Sequence, residues 1–107
     1  MNLFYTHEDP WKAARDLADS HTVKMPLEQS QMMSATHRLL ETPQAPFVYK
    51  LTHANHPSTK WLRSSQAAYK WGLEYLEALF AEYTYRYGKI HKTQREKLQY
   101  LKVVPTS

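Results

Sequence analysis

The sequence contains no cysteine, so a disulfide framework, a thiolate zinc site and a cysteine nucleophile are all excluded. Glycine is almost as scarce, with Gly72 and Gly88 the only two in 107 residues. A phosphate-cradling glycine loop cannot be built from them, which removes an ATP-driven P-loop mechanism. Apolar runs are short, and none approaches the ~20 residues that span a bilayer. The opening MNLFYTHEDP reaches acidic residues by Glu8 and lacks a basic start followed by a long apolar stretch. It does not read as a secretory leader, and a cytoplasmic protein is the expectation.

What is present favours a single folded core. The length suits one domain over residues 1–107. Apolar residues make up 42%, with 3 Trp, 8 Tyr and 3 Phe, which is enough large apolar surface to oppose chain entropy. The formal net charge is +4 and uneven. Lys89, Lys92, Arg95, Lys97 and Lys102 stand against Glu96 alone in the last part of the chain. That balance favours a polyanionic partner such as DNA, although a modest excess also occurs in proteins that never bind nucleic acid.

Helix dominates the periodicity. Leu3 to Tyr5 is too short to distinguish strand from extended arm. Asp9 before Pro10 sets a capping carboxylate ahead of a residue suited to the first helical position, predicting a helix to about Ala18 with Trp11, Ala14 and Leu17 or Ala18 inward. The next segment repeats apolar residues at Val23, Leu27, Met32, Ala35 and Leu39 or Leu40. Pro26 there predicts an irregular first turn around His21 to Met25, whose free backbone groups suit an anion. From Thr42 to Ser58 three prolines and no helical period mark a long connection, pinned to the core by Phe47, Val48, Tyr49 and Leu51. A helix after Pro57 with Trp61 and Leu62 inward, a break or new cap at Ser64 or Ser65, a main helix to about Tyr87 capped by Gly88, and a last helix from a Thr93/Glu96 capping box to about Leu101 complete the reading. The fold class expected is all-α: one compact domain of about five helices, with a long ordered connection between the second and third.

Three groups of residues can carry chemistry. His21, Lys24 and Glu28 lie three and four residues apart, on one side of a helix. A carboxylate beside two basic groups can act as a general base or orient them toward a leaving anion, and the same spacing also makes an ordinary surface ion pair. His53, Asn55 and His56 before Pro57 can meet a base edge, a phosphate or a metal, or simply form a turn and helix cap. An H-x-x-H pair without further ligands is weak for zinc, so no metal ligand is assigned. Tyr83, Tyr85, Arg86, Tyr87, Lys89, His91 and Lys92 cluster at a helix end. Cations there complement the helix dipole, and aromatics among cations can also stack a base and clamp phosphates.

Taken together, HTVKMPLEQSQMM, NHPSTKWLRSSQAAYKW and EYTYRYGKIHKT resemble a phage-associated all-helical family, the second clade of the alpha-glutamyl/putrescinyl thymine pyrophosphorylases, with the match running from about Asp9 to Thr93. The resemblance implies a transferase in the infected host cell, acting on phage DNA that carries pyrophosphorylated 5-hydroxymethyluracil. A small amine, an amino acid or putrescine, displaces pyrophosphate to leave a hypermodified thymine. On that reading Lys24, Arg63, Arg86, Lys89 and Lys92 neutralise the leaving group, with Mg²⁺ a compatible aid, and Glu28 or His21 takes the amine's proton. Tyr85, Tyr87 or Trp61 stacks on the flipped base, Asn55 reads its edge, and His56 and His91 join the substrate contacts. A homodimer would enlarge the surface of a chain this short.

A fainter similarity links LADSHTVKMPLE to the small phage pyrimidine-dimer glycosylases, with His21 and Glu28 at the places of their histidine and catalytic glutamate. Those enzymes attack with a freed N-terminal amine, whereas Met1 here precedes the bulky Asn2 and is expected to be retained. Leu27 stands where that segment carries an arginine. A glycosylase and a non-catalytic helical DNA-binding or phage accessory protein are the alternatives to the transferase.

Overall fold

The computed structural model describes residues 8–105. The expectations about Leu3 to Tyr5 and about the amine at Met1 lie outside them. Five α-helices follow in order: α1 Pro10–Arg15, α2 Asp19–Leu39, α3 Pro57–Leu62, α4 Gln66–Tyr87 and α5 Lys92–Leu101, with a 3-10 turn Ala45–Phe47 in the connection after α2. No strand occurs among the described residues, so the all-α expectation holds.

Two long helices organise the rest. α2 packs on α4, α1 lies against α4, and α3 and α5 flank α2. Met25, Met32, Met33, Leu62, Tyr69, Leu76, Leu79, Phe80 and Leu101 are fully buried between them. Gly72 lies against α3: a Cβ there would collide with Leu62 Cδ2, so the missing side chain lets α3 seat on α4.

The capping signals act as local chemistry requires. Asp9 accepts from the Trp11 amide at 2.9 Å and Ser65 from Ala68 at 3.0 Å. Gly88 ends α4 at φ 68, a left-handed conformation that costs a β-carbon strain. The cap of α5 differs from expectation. His91, not Thr93, is the N-cap, its Nδ1 accepting from the Thr93 amide at 3.1 Å.

Other expectations need correction. α1 stops at Arg15, because Ala18 must be extended (ψ 157) to start α2. Trp11 is 44% exposed, since this short helix turns Ala13 and Ala14 toward α4. Trp61 is 40% exposed and packs edge-on against Trp71, leaving Leu62 as the inward residue of α3. The irregular turn at His21 to Met25 is absent: α2 is helical from Asp19 and carries Pro26 in its interior. Val23 and Leu27 are 48% and 39% exposed. Neighbours on several sides of α2 instead bury Thr22, Gln29, Ser30, Ser34, Thr36 and His37, a polar set that apolar periodicity cannot mark.

The connection between α2 and α3 is held by directed bonds. Arg38 donates to the Tyr49 carbonyl at 2.7 Å and to that of Val48 at 3.1 Å, and Lys97 donates to Phe47 at 3.0 Å. Val48 is buried, whereas Phe47 stacks on Tyr100 at the surface and Leu51 is exposed. A buried network closes the far end. Thr42 Oγ1 and Tyr69 Oη lie 2.7 and 2.8 Å from the two nitrogens of His37, and Tyr69 donates onward to the Leu101 carbonyl.

Candidate active site

Val23, Lys24, Leu27 and Glu28 share one face of α2, because residues four apart stack on a helix. Across from them stand His91, Lys92, Thr93 and Glu96 from the start of α5, with Tyr49 of the connection closing the side. Together they line a cavity of about 530 Å³. The exposure of Val23 and Leu27 is therefore exposure to this hollow: they form its apolar wall, with the charged groups around them.

Each wall is fixed by contacts that do not consume the charges. The Tyr49 hydroxyl lies 2.9 Å from Thr93 Oγ1, and Lys97 sits 5.2 Å over the Tyr49 ring. His91 is held from three directions. Its Nδ1 accepts from Thr93, its other nitrogen donates to the Val23 carbonyl, and its ring packs edge-on to Tyr83 at 4.7 Å. Burial lowers its pKa below the ordinary histidine value, opposed by the bond to Val23. A neutral imidazole suits the geometry, since a protonated Nδ1 could not accept from the Thr93 amide. His91 thus staples the start of α5 to α2 at the lining of the cavity.

Lys24, Lys92, Glu28 and Glu96 all line the space, and among the described residues no ion pair joins any of them to another. A hollow with two ammonium and two carboxylate groups beside an apolar wall can take a planar ring carrying charged substituents. No group of three or more histidine, aspartate or glutamate side chains converges as a metal site among the described residues.

The other residues singled out from sequence fall in different places. His21 is half-buried and does not line the cavity. His56 caps α3, its Nδ1 accepting from the Ser58 amide at 3.0 Å, and Asn55 is exposed in the turn before it. Arg63 donates to the Ala54 carbonyl at 3.3 Å. Arg86 donates to Glu82 at 2.8 Å, to Asp19 at 3.0 Å and to the Arg15 carbonyl at 3.1 Å. It latches the end of α4 to the α1–α2 junction, and the bond to Glu82 is the main cause of its raised pKa. Tyr85 is 86% exposed beside Trp11 on another face, and Lys89 is exposed beyond Gly88. The structure therefore brings together Lys24, Glu28, His91 and Lys92, and leaves Asn55, His56, Trp61, Arg63, Tyr85, Arg86 and Lys89 outside this hollow.

Tyr49, Thr93, Glu96 and the pair Val23/Leu27 complete the lining without having been assigned to a site from sequence. Tyr49 had a sequence signal, an aromatic residue in a long ordered connection, but that signal equally fits a core anchor.

A family model described as pyrimidine dimer DNA glycosylase matches residues 1–96. The class is that of glycosylase-like enzymes acting on DNA. The chain belongs to the pyrimidine dimer DNA glycosylase family, and the matched span includes the segment that contributes Glu28 to the cavity. Comparison with curated proteins and with solved structures returned no match. No helix of the described residues is long and apolar enough to cross a membrane.

Proposed function

We propose that the cavity between α2 and α5 receives a pyrimidine extruded from DNA, and that the chain exchanges a substituent on that base. The observation that carries this reading is one hollow lined by Glu28, Glu96, Lys24 and Lys92 beside an apolar wall. Extrusion exposes both faces of the base, and Tyr49, which lines the cavity, is the aromatic side chain that would stack on one of them. The reaction is the one implied by the thymine pyrophosphorylase resemblance. The nitrogen of a small amine attacks the 5-methylene carbon, the carbon–oxygen bond to pyrophosphate breaks, and the electron pair leaves with pyrophosphate. Glu28 takes the proton that the amine loses, and Lys24 and Lys92 meet the charge growing on the leaving group. Of the five cations first assigned to that task, these two are the ones in the cavity.

Base excision is the second reading, favoured by the family match itself. It uses the same pocket and the same glutamate, but needs a nucleophile directed at the sugar. Leu27 in the cavity wall, where the glycosylase segment carries an arginine, favours the first reading.

One substrate set separates them. DNA containing 5-pyrophosphoryloxymethyluracil should release pyrophosphate only when an amine is supplied, and Glu28→Gln should stop it. Abasic sites in irradiated DNA, with a borohydride-trapped adduct, would establish excision instead. Salt-sensitive DNA binding with neither activity, unchanged in Glu28→Gln, would leave a non-catalytic binding protein.

A further inference from the structure

His53 holds a strained backbone conformation while its ring lies edge-on to His56, with centroids 6.1 Å apart. Its φ is 55, a left-handed conformation that a β-carbon disfavours and glycine adopts freely. The turn is nonetheless fixed. The His56 amide donates to the His53 carbonyl at 3.0 Å, Arg63 holds the Ala54 carbonyl, and His56 caps α3. The exposed imidazole is thereby presented to α2, its Nε2 standing 3.4 Å from Gln31 Oε1. That separation is longer than a strong hydrogen bond, so the pair does not saturate either group. Gln31 follows Glu28 by three residues and Lys24 by seven, on the same face of α2 and about one turn beyond the cavity. The nearby arginines, Arg38 and Arg63, both donate to the chain's own carbonyls.

We propose that His53 and Gln31 form a second contact beside the cavity, donating imidazole and amide N–H groups to the phosphodiester of the nucleotide next to the extruded one. This rests on the reading of the cavity as a base pocket. A phosphate oxygen accepts from both donors, and a turn held in the left-handed region fixes the direction of the imidazole before the strand arrives. The contact places the strand along α2, with its extruded base between Lys24 and Lys92.

The test uses the full chain and a fluorescein-labelled duplex with one unpaired thymine, beside the same duplex fully paired. Wild type should prefer the unpaired thymine. His53→Gly should melt about 4 °C higher, because the strain is gone, yet bind this probe about five-fold more weakly. His53→Asn, which tolerates the turn, should melt like wild type and lose similar affinity. Gln31→Ala should weaken binding in His53 wild type and add less in His53→Gly. A preference for the unpaired thymine retained at full affinity in both His53 variants overturns the contact and leaves the pocket standing. A His53→Gly protein that melts lower than wild type also overturns it, because the imidazole is then a structural support. No preference in the wild type removes the pocket reading, and this inference with it.

Discussion

Lowering the pH should destabilise the fold through one residue, His37. The imidazole is fully buried where α2, α4 and the chain's C-terminal turn meet. Tyr69 donates its one hydroxyl proton to the Leu101 carbonyl, so it must accept from Nε2–H of His37, and Nδ1 then accepts from Thr42. Burial pulls the His37 pKa down from an ordinary 6.5 to about 4, partly opposed by a bond to the Val103 backbone. The unfolded chain therefore takes up this proton first as pH falls. Stability is complete above the unfolded value and is lost as pH drops from 6.5 toward 4. At about 1.4 kcal/mol per pH unit the full loss is about 3 kcal/mol, of which about 2.5 should be gone by pH ~4.5. Domains of this kind are stable by about 5–15 kcal/mol, so the effect is a large fraction of the total.

Urea unfolding at pH ~7 and ~4.5, followed by circular dichroism, measures the loss. His37→Gln supplies the control, because glutamine can donate and accept but does not titrate. The variant will be less stable at neutral pH, yet its stability should fall by about 2.5 kcal/mol less than that of wild type between the two pH values. His91, also lowered by burial, acts in both proteins and cancels in the difference. Equal losses in the two proteins would refute the reasoning and show that His37 carries its proton in the fold.

Other expectations follow from the same geometry. Glu28→Gln should abolish turnover while shifting the melting temperature little, since Glu28 is only half-buried and joins no ion pair among the described residues; a large melting shift would make it structural. Lys24→Ala and Lys92→Ala should each reduce the salt slope of DNA binding by about 1, read from affinities at several salt concentrations. Tyr49→Leu should weaken binding to an unpaired thymine about ten-fold or more. Tyr49→Phe should retain that affinity and lose about 1 kcal/mol of stability with the Thr93 bond. Gly88→Ala should cost about 1 kcal/mol in urea unfolding through its left-handed φ alone, since a Cβ there meets nothing within 4 Å.

Helix identity and most helix ends were legible in the sequence, because caps and breakers are local. Asp9–Pro10, Pro57, Ser65 and Gly88 each act within a few residues of where they stand. The face each helix buries was less legible. Val23 and Leu27 read as core by periodicity, yet they wall a cavity, while Gln29, Ser30 and Thr36 are buried. Periodicity assumes one buried side, and α2 is covered by α3, α4 and α5 at once. His91 shows the same limit at a helix end. Thr93 and Glu96 matched a capping pattern, but a histidine already bonded to Val23 occupied the cap.

The chain's own order of residues determined an all-helical fold, most of its helix ends, the lack of thiol and P-loop chemistry, and a glutamate following two basic groups at helical spacing. Those properties depend on composition and on neighbours a few positions apart. Tertiary structure alone decided which charged residues share a space. It put Lys92 and Glu96 opposite Glu28 from more than 60 residues away, brought Tyr49 in as a wall, and turned Arg38, Arg63 and Arg86 to the chain's own acceptors. The cationic motif at the end of α4 was divided by Gly88, with Arg86 bound into the fold before the turn and Lys92 facing the cavity beyond it. Spacing along a chain ranks residues by type, and only packing determines which of them face one another.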